Sequence, residues 1–171
     1  MMTHNSKSRL ERSVILTLHD VGNYLTKNSE VMTRKGSITV QQWMVLLQIA
    51  GEPSFPQKSL SLGNEKVGVL ASEIAAARGV SRANISSVVT TLLRRGLVRQ
   101  IDDLEDRRRK LLTITRKGEN CVEKIEPVRN ILNDALFADF SEDELTAALH
   151  FLRRCLEKLW HLGDEIDSCK G

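Results

Sequence analysis

Aromatic residues make up only 4% of this 171-residue chain, and proline occurs three times, at positions 53, 56 and 127. With so few rings the core has to be aliphatic, which suits helix packing better than a large sheet. So few prolines leave long windows in which a helix runs uninterrupted. Cysteine also occurs three times, at 121, 155 and 169. An odd number so widely spaced argues against a disulfide framework and for reduced thiols. No window of about 18 apolar residues exists, as a membrane-spanning helix requires. The opening run MMTHNSKSRLERS has no apolar stretch long enough for a signal peptide. A soluble, cytoplasmic product with no membrane partner is expected. Missing too are HExxH, a CxxC pair, a phosphate-cradling glycine loop and a nucleophile elbow. His150 and His161 stand too far apart on one predicted helix to pair on a metal. No enzyme activity, no metal and no cofactor are expected.

At 41% hydrophobic residues the chain can still bury a real core, and its length fits one domain, here 1–171. Net charge is only +3, but it is unevenly spread. Between Arg78 and Lys117 eleven basic residues face four acidic ones, a balance of +7 that leaves −4 for the rest of the chain. That asymmetry is the footprint of a surface built to meet a polyanion.

Periodicity divides the chain into helices and one hairpin. Leu10, Val14, Leu18, Val21 and Leu25 form one stripe of an amphipathic helix between Lys7 and Val31. Thr39-x-x-Gln42 is a capping box that opens a second, nearly all-apolar helix. The stretch 51–66, rich in Pro, Gly and Ser, predicts a loop. Two short helices follow over 71–95, the first ending at Gly79, the second starting after Ser81 and stopping at Gly96. Leu97–Asp102 and Arg109–Thr115 predict two strands joined by an acidic turn. Two more helices complete the pattern, one over 116–136 and one from Ser141, which begins with a second capping box ending at Glu144. Leu145, Leu149, Leu152, Leu156 and Leu159 on the last helix make a heptad-like seam that implies a partner helix.

Ala75, Gly79 and Ile85 meet the three needs of a helix-turn-helix: a small residue at the crossing, a turn residue that tolerates positive φ, and an aliphatic group buried by the second helix. A tight pair of antiparallel helices with no nucleic-acid role needs the same three. The outer face of the second helix separates the two readings. With Ile85, Val88, Val89 and Leu92 inward, Arg82, Ala83, Ser86, Ser87, Thr90 and Arg94 are left outside. That face is small, polar and basic, able to approach a major-groove floor, where a merely solvated helix more often carries Glu and Lys pairs.

The run DDLEDRRRKLLTITRKGE, 102–119, then becomes the turn and return strand of a hairpin beside that helix, a wing. Arg107, Arg108 and Lys110 are candidates for the minor groove or the phosphates. Asp103 and Asp106 are ill placed against phosphate unless they turn inward, pair with arginines and fix the hairpin tip. A mixed charge run that is simply solvated is the competing explanation.

The segments SEIAAARGVSRANISSVVTTLLRRGLV (72–98) and DLEDRRRKLLTITRKGE (103–119) resemble the MarR (multiple antibiotic resistance regulator) family of winged-helix transcription regulators. The second is similar to the family's wing signature, here Asp103, Asp106, Arg108, Thr115 and Gly118. The order of helices extends the likeness over nearly the whole chain. The resemblance implies a fold that is mainly α with a small β-hairpin wing: a winged helix-turn-helix lobe over 37–115, with dimerisation helices over 7–31 and 116–163. It also implies a homodimer on double-stranded DNA with a pseudo-palindromic operator, usually a repressor released by a small aromatic effector. Within that pattern Arg108 is the residue inserted into the groove, and His19, Tyr24 and Trp43 become candidates for an effector pocket. Arg94, Arg95 and Lys110 are candidates for phosphate contacts. The family often has a basic residue where Ser87 and Thr91 stand, and the 54–66 loop is longer than its pattern.

Two alternatives remain. A winged helix that binds only protein would carry a less basic lobe. A thiol-based redox regulator would use a cysteine: Cys121 lies near a helix start, where the dipole lowers a thiol pKa, although a small buried residue is the better fit for it and for Cys155. The peroxide-sensing branch of the family keeps its reactive cysteine in the first helix, which has none here.

Overall fold

The computed structural model describes residues 3–52, 68–103 and 106–168. The elements run α1 (Thr3–Thr33), a 3₁₀ turn (Arg34–Gly36), α2 (Val40–Ala50), α3 (Ala71–Arg78), α4 (Arg82–Arg94), β1 (Val98–Asp102), β2 (Lys110–Ile114), α5 (Arg116–Phe137) and α6 (Glu142–Ser168). The chain divides into two compact units, Met1–Arg129 and Asn130–Gly171. From residue 53 onward the loop expected over 51–66 lies outside the described residues, as does Cys169.

The first unit holds the aliphatic core. Val45, Leu46, Ile74, Ile85, Leu92, Leu112 and Ile125 are fully or almost fully buried, so α2, α3, α4, α5 and the hairpin all contribute. Local chemistry sets the helix boundaries. Thr39 accepts from the Gln42 N–H while Gln42 Oε1 accepts from the Thr39 N–H, completing the box that starts α2. Gly51, at φ 78°, ends that helix. Gly79, at φ 60°, closes α3, and the Val80 N–H returns to the Ala75 carbonyl. Ser81 then caps α4 by accepting from the Asn84 N–H at 3.2 Å. The helix-turn-helix is therefore built as its spacing predicts, with Ala75 and Ile85 both in the core.

β1 and β2 pair antiparallel, with Val98 opposite Ile114, Ile101 opposite Leu111 and Asp102 opposite Lys110. Val69, just ahead of α3, adds an isolated antiparallel bridge to Leu112, giving and receiving a backbone hydrogen bond at 3.0 and 2.8 Å. Gly68 makes this approach possible, since a Cβ there would come within 2.8 Å of the Leu112 oxygen. A single bridging residue leaves no alternation to read, which is why the sequence pattern predicts two strands only.

On α1 the expected stripe forms, but it is not buried by its own unit. Leu10, Val21 and Leu25 are exposed, and burial begins only at Met32 and Thr33. In the second unit, Ser141 and Glu144 form the predicted box at the start of α6. Hydrogen bonds from the Ser141 backbone and side chain hold the Glu144 carboxyl below its ordinary range. Leu149, Leu152, Leu156 and Leu159 are exposed along α6, and Phe137 meets Phe140 edge to face.

Candidate DNA-binding face

The residues expected on the outer side of α4 are all exposed: Arg82, Ala83, Ser86, Ser87, Thr90 and Arg94. Opposite them Ile85, Val88, Val89 and Leu92 are buried. The hydroxyl of Thr90 donates to the Ser86 carbonyl at 2.8 Å and that of Thr91 to the Ser87 carbonyl at 3.2 Å. Each threonine thus spends its proton on its own helix, so its hydroxyl oxygen can only accept from any further partner. Arg82 and Arg94 have no ion-pair partner among the described residues.

One exposed residue of the first turn escaped the helical-wheel reading. Asn84 lies on the flank between the buried and outer faces, and its Oδ1 accepts a 2.6 Å hydrogen bond from Gln41 Nε2 of α2. An Asn in the opening turn of such a helix was the available signal.

In the hairpin turn Asp106 is the organising residue. Its Oδ1 accepts from the Arg108 N–H at 3.0 Å, its carbonyl from the Arg109 N–H at 2.8 Å, and its Oδ2 lies 3.5 Å from Arg109 Nε. Asp103 closes the turn from the other side, its N–H donating to the Arg109 carbonyl at 3.2 Å. Arg107 and Arg108 are exposed and unpaired among the described residues. They stand in the turn itself, ahead of β2, so alternation along a strand does not set their directions. Of the three arginines in this run, Arg109 is the one whose side chain pairs with Asp106, at the surface.

Two of the expected phosphate ligands are already engaged. Lys110 Nζ is in direct contact with Asp102 Oδ1, its register partner across the hairpin, with both side chains exposed. Arg95 is half-buried and donates to the Ser37 carbonyl at 2.8 Å, beside the left-handed Ser37 (φ 53°) that joins the 3₁₀ turn to α2. Lys117 Nζ in turn donates to the Arg95 carbonyl at 2.7 Å. Arg99 donates to Thr113 Oγ1 across the strands.

Thr115 and Gly118 act inside the lobe. Thr115 Oγ1 accepts from the Gly118 N–H at 3.1 Å and donates to the Gly96 carbonyl at 2.7 Å, so one hydroxyl caps α5 and ties it to the turn after α4.

A groove of about 630 Å³ lies where α1, α2 and α3 meet, lined among others by Thr26, Glu30, Gln41, Met44 and Arg78. Burial lowers the pKa of the Arg78 guanidinium from its ordinary value. Arg78, counted in the basic lobe from sequence, therefore faces this groove. His19, Tyr24 and Trp43 do not line it: His19 and Tyr24 are exposed on α1, and Trp43 is buried in the core. Cys121 is buried too, its Sγ 3.4 Å from the Gly36 carbonyl. Desolvation pushes its thiol pKa up, outweighing the nearby charges of Arg95 and Lys124. A helix start does not make this thiol acidic. Among the described residues no cluster could hold a metal ion, and no helix is long and apolar enough to cross a membrane.

The family model described as MarR family matches residues 37–109. The transcriptional activatory protein BadR of Rhodopseudomonas palustris is 27% identical over 161 residues, covering 94% of this chain and 86% of that protein. Among solved structures, a MarR family transcriptional regulator from Listeria monocytogenes complexed with 26mer DNA has a TM-score of 0.72 at 17% identity, covering 92% of this chain and 94% of that one. Staphylococcus aureus MarR in complex with salicylate and kanamycin has a TM-score of 0.69 at 21% identity, covering 90% and 95%. At these identities the structural likeness speaks for the fold. Taken with the helix-turn-helix and the hairpin between residues 71 and 114, these matches make the chain similar to the MarR family of winged-helix transcription regulators, with the family's own model matched over residues 37–109.

Proposed function

We propose that the protein is a sequence-specific, double-stranded-DNA-binding regulator that works as a homodimer, a repressor released by a small ligand. The observation that carries the DNA reading is the pairing pattern in the wing. Asp106 occupies Arg109 and the turn backbone, which leaves Arg107 and Arg108 exposed beside an α4 face of small, polar and basic side chains. The acids neutralise the cations that stay home, and the remaining ones are available to phosphates and groove edges. That the Listeria relative was crystallised with DNA supports the same reading.

Pairing is supported by the bare apolar stripes of α1 and α6, which a second copy would cover. A dimer presents two α4 helices to half-sites about ten base pairs apart, and so selects a pseudo-palindrome. For the ligand, the groove between α1, α2 and α3 offers a guanidinium from Arg78, a thioether from Met44 and polar rims, which suits a small aromatic anion. His19 and Tyr24 would contribute only through a surface completed by the partner subunit. Repression follows if the operator overlaps the promoter. The name of the Rhodopseudomonas relative supplies the competing outcome, activation.

Fluorescence anisotropy of the full chain on random duplex DNA across salt tests the reading. Binding that falls steeply with salt supports phosphate contact, and a flat profile supports a protein-only adaptor. Genomic fragments selected by the protein, placed ahead of a reporter, then give the sign of regulation.

A further inference from the structure

On α4, Asn84 carries a side-chain amide engaged by a neighbouring helix. A free asparagine amide offers one acceptor and two donors, and so pairs with adenine through both N7 and N6. Here Oδ1 accepts from Gln41 Nε2 at 2.6 Å. Gln41 stands in the first turn of α2, whose backbone is set by the reciprocal Thr39–Gln42 box. The main chain of Asn84 is anchored as well: its backbone N–H donates to Ser81 Oγ, the cap of α4. In this arrangement the amide is held by its oxygen from the α2 side, and its NH₂, on the exposed first turn, is left for another acceptor.

We infer that Gln41 is a positioning residue for operator choice: it locks Asn84 in a donor-only orientation, so that Asn84 reads acceptor edges in the major groove, guanine O6 and N7 ahead of adenine. This rests on the DNA-binding reading above and adds to it a named specificity-determining pair. The first turn of a recognition helix is the part that meets base edges in helix-turn-helix docking, so one position in each half-site reports on this amide.

Exchange of the anchor gives a test that a merely structural role does not pass. A carboxylate at position 41 only accepts, so Gln41→Glu keeps the hydrogen bond but requires Asn84 to turn its NH₂ inward and its oxygen outward. The full-length wild type, Gln41→Glu, Gln41→Leu and Asn84→Ala would each be used to select from a randomised duplex library. Wild type is expected to favour guanine at one position per half-site by about fivefold or more. Gln41→Glu moves the preference at that position to a donor edge, cytosine N4 or adenine N6, and leaves the rest of the motif in place. Gln41→Leu and Asn84→Ala lose the preference there. A wild-type motif that survives Asn84→Ala unchanged overturns the inference and leaves the DNA reading standing. Loss with Asn84→Ala but no inversion with Gln41→Glu overturns the locking role of Gln41. Wild-type protein that binds no duplex overturns the DNA reading itself, and this inference with it.

Discussion

A Cβ at Gly118 would stand 2.2 Å from the carbonyl oxygen of Leu97 and 2.7 Å from Ile114 Cγ1. The nearer neighbour is backbone, which cannot step aside as the end of a side chain can. Gly118→Ala must therefore push the first turn of α5 off the hairpin. A loss of about 1–3 kcal/mol is expected, the usual cost of overpacking. Urea unfolding of the full chain measures it, with exposed Asn120→Ala as the control. An unchanged midpoint would contradict the close packing of α5 on Leu97.

The wing divides its cations into committed and free ones, and salt titrations of DNA affinity separate the two. Arg108→Ala should weaken binding to a selected operator by about 1–3 kcal/mol, the scale of one good groove contact. Lys110→Ala should cost less, because Lys110 is held by Asp102. Asp102→Ala releases that lysine, and should strengthen binding to random duplex while steepening the salt slope by up to about one phosphate's worth. If Lys110→Ala proves the more damaging of the two, the ion pair opens on DNA and the assignment of Arg108 is wrong.

Buried Cys121 makes a pH prediction. Its folded-state pKa is raised, chiefly by desolvation, above that of the unfolded thiol. Below the unfolded value, about 8.5, both states are protonated and the full contribution is present. As pH climbs through that value and on toward the folded pKa, only the unfolded chain ionises, so stability falls. Urea midpoints between pH 8 and 10 should drop more in the wild type than in Cys121→Ala. In a Cys169→Ser background, thiol reagents should label half-exposed Cys155 ahead of Cys121. Fast labelling of Cys121 in the native protein would reopen the redox alternative.

Leu152 and Leu156, each about two-fifths exposed on α6, continue a seam spaced for a partner helix. Leu152→Asp is expected to shift the sedimentation mass from two chains to one at micromolar concentration. A wild-type monomer under the same conditions would remove the homodimer from the proposed mechanism.

Much of the fold was legible from sequence because the relevant signals are local. Capping boxes at Thr39 and Ser141, Gly79 after α3 and the alternation around Leu111 each fix a boundary without reference to the rest of the chain. The inward and outward faces of α4 followed from its period. Tertiary pairings were not legible: nothing in the order of residues says that Arg95 reaches Ser37, that Lys110 meets Asp102, or that Val69 adds a bridge to β2. The same holds for Asn84, whose partner lies 43 positions away. Helical position alone put it on a flank, and only a neighbouring helix gives its amide a direction.

Thr115 is the single residue between the end of β2 and the start of α5. Its hydroxyl bridges Gly96 and Gly118, and beyond it Leu111 and Leu112 are buried and Leu112 is bridged to Val69, so the strands are moored to the lobe along their length. Only the turn stands clear of that mooring. The spot from which Arg107 and Arg108 reach out is therefore dictated by the aliphatic interior, and repacking beneath β2 would relocate both arginines together.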